Sequence, residues 1–98
     1  MKYTLEQTRE FKNWFSRQST KPFRIRFLAR FERIKNGNFG DHKKISTALF
    51  ELRFFFGSVF RIYYTLRNNT IVLLLTGGDK SSQASDIKKA KQLLDELE

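Results

Sequence analysis

Two segments carry most of the chemistry this chain can do. "ELRFFFGSVFRIYY" sets Arg53, Arg61 and Tyr63 among aromatic residues, and "TGGDKSS" presents Asp79 and Lys80 directly after two glycines. Guanidinium and ammonium groups bind phosphate oxygens, and when held in place they stabilise the extra charge of a phosphoryl transition state. Asp79, Tyr63 and His42, the only histidine, are the candidates for moving protons, imidazole being the side chain that exchanges them near neutrality. Lys43 and Lys44 beside His42 add phosphate contacts. Phe55 offers a ring on which a base can stack, and Arg67 adds a further cation.

Other chemistries are excluded by what is missing. The chain has no cysteine, which removes disulfides, thiolate nucleophiles and Cys-ligated zinc. A single histidine without a tight carboxylate cluster completes no metal site, so no metal and no cofactor is expected. "GGDKSS" lacks the earlier glycine, and the glycine directly before the lysine, of a phosphate-binding loop. Ser81 and Ser82 have no histidine and carboxylate at recognisable positions and read as helix caps, together with Gln83.

The elements that must hold these groups follow from periodicity. Lys2 to Glu6 reads as a short strand. Phe11, Trp14 and Phe15 then recur at helical spacing after a Thr8 cap. A second helix begins after a Ser19 or Thr20 cap, takes Pro22 in its first turn and runs to about Lys35, where Gly37 ends it. Phe23, Phe27, Phe31 and Ile34 form its core face. Arg26, Arg30 and Arg33 form a stripe that either tracks phosphates, grips an acidic partner or is a solvated face, the commoner case. "NGNFGDHKK" is a turn-rich link. Ala48 to Phe56, Val59 to Leu66 and Thr70 to Thr76 make an antiparallel meander, with Asn68 and Asn69 in the second turn. The last strand is expected to break at Gly77 and Gly78. A final helix from Gln83 carries Ile87, Ala90, Leu93, Leu94 and Leu97 on its apolar stripe.

Strand parity divides the hairpin. Leu52, Phe54 and Phe56 share a face with Phe60, Ile62, Tyr64 and Leu66, whereas Glu51, Arg53 and Phe55 share the other with Arg61, Tyr63, Thr65 and Arg67. A two-residue loop at Gly57 and Ser58 would set Phe54 against Arg61. A three-residue loop, Gly57 to Val59, avoids that conflict and pairs Phe55 with Arg61, Arg53 with Tyr63 and Glu51 with Thr65. The second face is then either an open nucleic-acid surface or a covered one in which Glu51 pairs with Arg53 or Arg61.

Composition bounds the class. Ninety-eight residues with a formal charge of +9 and 40% hydrophobic content suit one basic domain, residues 1–98, that attracts polyanions. No apolar run approaches the roughly 20 residues needed to cross a bilayer, and "MKYTLEQTREF" has no signal-peptide apolar region, so a cytoplasmic protein is expected.

With "FKNWF" and "RIRFLARFERIKNGNFGDHKK" ahead of them, "ELRFFFGSVFRIYY" and "IVLLLTGGDKSSQASDIKKAK" resemble the RelE/ParE superfamily of bacterial toxins, in its HigB-like, phage-derived branch of addiction-module killer proteins. The resemblance implies an α+β fold, with two N-terminal helices packed on a twisted antiparallel β-sheet and a C-terminal helix. It implies the toxin of a type II toxin–antitoxin module, bound by a cognate antitoxin of the helix-turn-helix kind and touching operator DNA only through that complex. The implied activity is a metal-independent, ribosome-dependent mRNA endoribonuclease, with mRNA and the ribosome as partners. Arg53, Arg61 and Lys80 match the family's basic positions, and Lys80 is expected to face the two arginines. Alternatives are a ParE-like gyrase inhibitor without nuclease activity, or a degenerate toxin that mainly binds its antitoxin. Two departures matter: Glu51 stands where such ribonucleases often have lysine, and "GSVFR" replaces the branch's usual "GPGYR".

Overall fold

The computed structural model describes residues 2–18, 21–56 and 58–97. The elements run β1 (Thr4–Gln7), α1 (Arg9–Arg17), α2 (Lys21–Lys35), β2 (His42–Ser46), β3 (Leu49–Phe56), β4 (Ser58–Arg67), β5 (Ile71–Asp79) and α3 (Gln83–Glu96), with a 3-10 turn at Lys80–Ser82 leading into α3. The strands form a sheet in the spatial order β1-β5-β4-β3-β2. This is the expected α+β arrangement, with two additions. β1 joins β5 in parallel, Thr4 opposite Ile71, while the other pairings are antiparallel. "HKK", expected to end a turn-rich link, instead opens β2, an edge strand on β3. Its charged residues carry no apolar alternation because an edge strand with lysines needs none, and they blunt the edge against further pairing.

Local signals account for the helix ends. The Thr8 hydroxyl accepts the Phe11 N–H at 3.0 Å and donates to the Leu75 carbonyl at 2.6 Å, so one side chain both starts α1 and ties it to β5. α2 ends where Gly37 takes φ 91°, its N–H bonding the Ile34 carbonyl while Asn38 N–H bonds that of Arg33, a double closure a left-handed residue permits. The expected α2 caps, Ser19 and Thr20, lie outside the described residues, as does the turn glycine Gly57. Asn68 and Asn69 adopt φ of 53° and 60°, and Thr70 N–H closes on the Arg67 carbonyl, giving the tight turn from β4 to β5.

The sheet has a core on each face. Under α1 and α2, Phe11, Trp14, Phe27, Phe31 and Ile34 pack on Leu52, Phe54, Phe60, Ile62, Tyr64, Val72 and Leu74. Under α3, Ala90 with half-buried Ile87, Leu93 and Leu94 packs on Leu49, Tyr63, Leu73 and Leu75. The face assignments from parity hold for the residues in the two cores: Leu52, Phe54, Phe60, Ile62 and Tyr64 in the first and Tyr63 in the second. The register does not: Phe55 lies opposite Val59, Arg53 opposite Arg61 and Glu51 opposite Tyr63, two residues from the expected pairing. A shift of two leaves every side chain on its own face, so alternation cannot detect it.

Two further expectations are corrected. Gly77 and Gly78 do not break the last strand; they lie within β5, opposite Ile62 and Arg61, and the strand runs on to Asp79. The glycines are there because neighbours press on them. A Cβ at Gly77 would sit 2.6 Å from the Trp14 ring, and one at Gly78 would sit 1.9 Å from Asp86 Oδ2. A bulge between Tyr63 and Tyr64 inserts Leu75 into β5, where it packs in the α3 core, while Thr76 lies opposite Tyr63. The arginine stripe of α2 is not one surface either. Arg30 is 9% exposed, and its guanidinium donates to the carbonyls of Phe39, Asp41 and Arg53 while lying 4.5 Å over the Phe54 ring.

Candidate functional site: a covered row of cations at one end of the sheet

The strands bring the two hairpin arginines together more closely than the loop argument does. Arg53 on β3, Arg61 on β4 and Gly78 on β5 are direct neighbours across the sheet, and Lys80 follows Gly78 by two residues in the 3-10 turn. Like charges on directly opposed strand positions repel, so each arginine needs its own counter-ion. Arg53, half-buried, is gripped by Asp41, Nη2 to Oδ1 at 2.9 Å and Nε at 3.3 Å. Arg61, only 8% exposed, has its Nε 3.6 Å from Glu51 Oε1. Arg61 Nε and Nη1 are both buried without a hydrogen-bond acceptor among the described residues. Lys80 is exposed.

Glu51 is the pivot of this arrangement, and Gln83 its support. The carboxylate is 1% exposed, and Gln83 Nε2 on the first turn of α3 donates to Glu51 Oε2 at 3.1 Å, leaving Oε1 turned to Arg61. A buried carboxylate without these partners would carry a desolvation cost of several kcal/mol. Sequence reading flagged Glu51 as a departure and Gln83 only as a cap residue. Nothing in the spacing of 32 positions between them signals that they meet.

The other predicted residues are distributed less uniformly. Tyr63 is fully buried in the α3 core; burial first, then the Glu51 carboxylate, hold its phenol in the neutral form well beyond the ordinary tyrosine range. Of the two readings of this face, open or covered, the covered one applies to most of it: α3 covers Glu51, Arg61, Tyr63 and Thr65, Glu51 pairs with Arg61, and Arg53 is left half-buried and Phe55 exposed. Asp79 caps the turn that carries Lys80. Its Oδ1 accepts Ser81 Oγ at 2.6 Å and the N–H groups of Ser81 and Ser82, which together keep it below the usual carboxylate range. Ser82 takes the N-cap position of α3 as expected, but its hydroxyl donates to Asp86 at 2.5 Å and caps no backbone N–H; that half-buried carboxylate is pushed up by burial.

His42 pairs with Leu52 and so lies on the α2 side of the sheet, as Lys44 does opposite Phe50; only Lys43, opposite Glu51, shares the face of the arginine row. The His42 Nδ1 is 2.9 Å from the Gly40 carbonyl, an acceptor that fixes Nδ1 as the protonated nitrogen and leaves Nε2 to accept a proton. Arg67 ends β4 six residues from Arg61, about 20 Å away along the strand, and takes no part in the row. Among the described residues no group of three or more His, Asp or Glu side chains lies together as metal ligands would, and no helix is long and apolar enough to cross a membrane.

A cavity of about 360 Å³ lies beside the row, between α1 and α3 at the end of β5. Gly77 and Gly78 are part of its wall, with Glu10, Asp79 and Asp86 against Arg17 and Lys89. Lys89 and Glu10 close on each other at 2.9 Å. Three carboxylates against two cations make it a poor seat for a polyanion, which directs attention back to the arginine row.

The fold and the row thus define a small basic α+β domain with a buried, acid-braced arginine at one end of its sheet. Residues 13–95 match the profile of the family Phage derived protein Gp49-like (DUF891), and the chain belongs to that family, which is associated with toxin–antitoxin modules. It is also similar to an uncharacterized protein of Haemophilus influenzae, 40% identical over 97 residues that cover 99% of this chain and 98% of that protein.

Proposed function

We propose that this chain is the toxin of a type II module of the RelE/ParE kind, a metal-independent mRNA endoribonuclease that acts on the ribosome and is held in check by a cognate antitoxin. The observation that carries this reading is the directly opposed Arg53 and Arg61 pair, with Lys80 in the turn beyond. Asp41 and Glu51 hold the two guanidiniums in fixed positions, and cationic donors fixed in advance are what a developing phosphoryl charge requires.

In the reaction, the ribose 2′-hydroxyl gives its proton to water as its oxygen bonds to the adjacent phosphorus, the bond from phosphorus to the 5′-oxygen breaks, and the leaving oxygen takes a proton from water, giving a 2′,3′-cyclic phosphate and a 5′-hydroxyl. The pentacovalent phosphorus bears extra negative charge on its equatorial oxygens. Lys80, exposed, and Arg53, half-buried, meet that charge directly. Arg61 adds its field from below, oriented by Glu51 and Gln83. Tyr63 is assigned no proton transfer, because its hydroxyl is sealed under α3, and Asp79 serves to fix the turn of Lys80.

Primer extension after induction in growing cells tests the reading. New, codon-linked 5′ ends are expected with the wild type and are lost with Lys80→Ala, Arg53→Ala or Arg61→Ala. Intact transcripts in growth-arrested cells would rule it out. The depth of Arg61 favours one second reading, a non-enzymatic inhibitor of gyrase, for which altered supercoiling with uncut RNA is the expected signature.

A further inference from the structure

The cavity that sequence reading did not foresee joins α2 to the tip of the β3 strand. It measures about 260 Å³ and is lined by Arg26, Ala29, Arg30, Arg33, Phe54 and Phe55. These residues come from what sequence reading treated as two unrelated surfaces, a helix stripe and a strand face. They meet because β2 reaches β3 only as far as Leu52, opposite His42, which leaves the tip of β3 paired with β4 on one side and with no strand on the other. Phe55 there is 64% exposed, the most exposed large hydrophobic side chain described.

The electrostatics of this cavity are one-sided. Its lining holds three guanidiniums and no carboxylate, unlike the mixed lining of the cavity between α1 and α3. Arg30 forms its wall, and its hydrogen bonds to the carbonyls of Phe39, Asp41 and Arg53 fix its positive charge in place with neutral acceptors. Glu32, the acid on the same helix, turns to Lys35 at 3.1 Å. Asp41, beyond the cavity, is taken by Arg53 at 2.9 Å. A fixed positive wall, flanking arginines on a helix and an exposed ring at the lip suit a ligand that has both a flat apolar face and a negative charge.

We infer that this cavity holds one nucleotide of single-stranded RNA, the base stacked on Phe55 and its phosphate between Arg26 and Arg33. A stacked base tolerates any sequence because every base has a π-face, and the flanking arginines supply the salt-dependent part of the affinity. The inference deepens the reading of the chain as a ribonuclease, because it gives the substrate strand an anchor around the free tip of β3, apart from the arginine row. An acidic peptide satisfies the charge but not the exposed ring.

The test separates binding from cleavage. A fluorescein-labelled decamer of 2′-O-methyl RNA, which has no 2′-hydroxyl to attack, is titrated with the full chain by fluorescence anisotropy at several salt concentrations. Phe55→Ala is expected to weaken binding by about 5- to 100-fold, the usual cost of a lost stack, whereas Phe55→Trp binds as the wild type or tighter. Arg26→Gln and Arg33→Gln are each expected to reduce the slope of log K against log salt by about 0.7. Circular dichroism of each variant verifies the fold. Binding of folded Phe55→Ala within twofold of the wild type overturns the inference. Displacement of the decamer by polyglutamate of equal charge as readily as by unlabelled RNA also overturns it, in favour of an acidic protein partner. Phe55-dependent binding in a protein that cuts no transcript leaves this inference standing and removes the ribonuclease reading alone.

Discussion

Glu51 and Arg61 show how one buried pair can serve stability and chemistry in opposite ways. Removing one partner leaves the other charge buried and unpaired, so Glu51→Ala is expected to cost about 3 to 5 kcal/mol in urea unfolding. Replacing both, as in the pair Glu51→Leu with Arg61→Met, recovers most of that loss because well-packed apolar groups need no counter-ion. The double variant is nonetheless expected to leave transcripts uncut. A double variant that stays unstable would indicate that packing under α3, and not the charge, governs the site. Two carboxylates of the neighbouring turn make a second test. Asp79, lowered in the fold, binds its proton less tightly folded than unfolded, so its contribution to stability is present above the ordinary 3.8 and is lost as pH falls through its folded value. Asp86 is raised, so the folded state holds its proton more tightly and stability falls as pH climbs from 3.8 through the raised value. Across the acid range, urea midpoints are expected to rise less with pH than those of the wild type in Asp79→Asn, and to rise more in Asp86→Asn.

At the scale of elements, the end of β5 is set by close approach. Gly78→Ala forces Asp86, and with it the first turns of α3, away from the strand, at an expected cost of about 1 to 3 kcal/mol. Asp86→Ala in the same chain is expected to restore part of that loss, and a Gly78→Ala urea midpoint equal to that of the wild type would show that α3 does not rest on this contact. The same strand shows what was readable from sequence. Alternation assigned Leu52, Phe54, Phe60, Ile62 and Tyr64 to the core face because a buried face admits only one parity. It could not show that Arg53 meets Arg61, since a slip of two preserves parity and the choice falls to the geometry of the turn. Gly77 and Gly78 read as punctuation until Trp14 and Asp86, 63 and 8 positions away from them in sequence, supply the reason for having no side chain. Arg30 has the same helical spacing as Arg26 and Arg33, and only the carbonyls of Phe39, Asp41 and Arg53 distinguish it.

For the whole molecule, charge decides how it meets its surroundings. The formal charge is +9, and several acids are already committed internally: Asp41 to Arg53, Glu51 to Arg61, Glu10 to Lys89 and Glu32 to Lys35. The uncommitted excess is cationic, so affinity for the 2′-O-methyl decamer is expected to fall about tenfold or more between 50 and 200 mM salt, if three or so phosphates are neutralised. A flat response in the same anisotropy titration would place recognition in uncharged contacts instead. Charge of this kind was legible from composition. The two-sided layering that hides Arg61 beneath α3 was not, because the stripe of α3 reveals that it has a buried face but not which strands lie under it.

The tryptophan that presses on Gly77 gives the molecule an optical reporter of its own. Trp14 is the only indole in the chain, 6% exposed, and it borders the cavity between α1 and α3. Its emission therefore reports whether α1 remains seated on β5, while the arginine-lined cavity beside Phe55 has no indole in its lining. RNA entering that second cavity leaves the signal in place, and a partner that pries α1 from the sheet changes it, so one fluorophore distinguishes a bound substrate from a displaced helix.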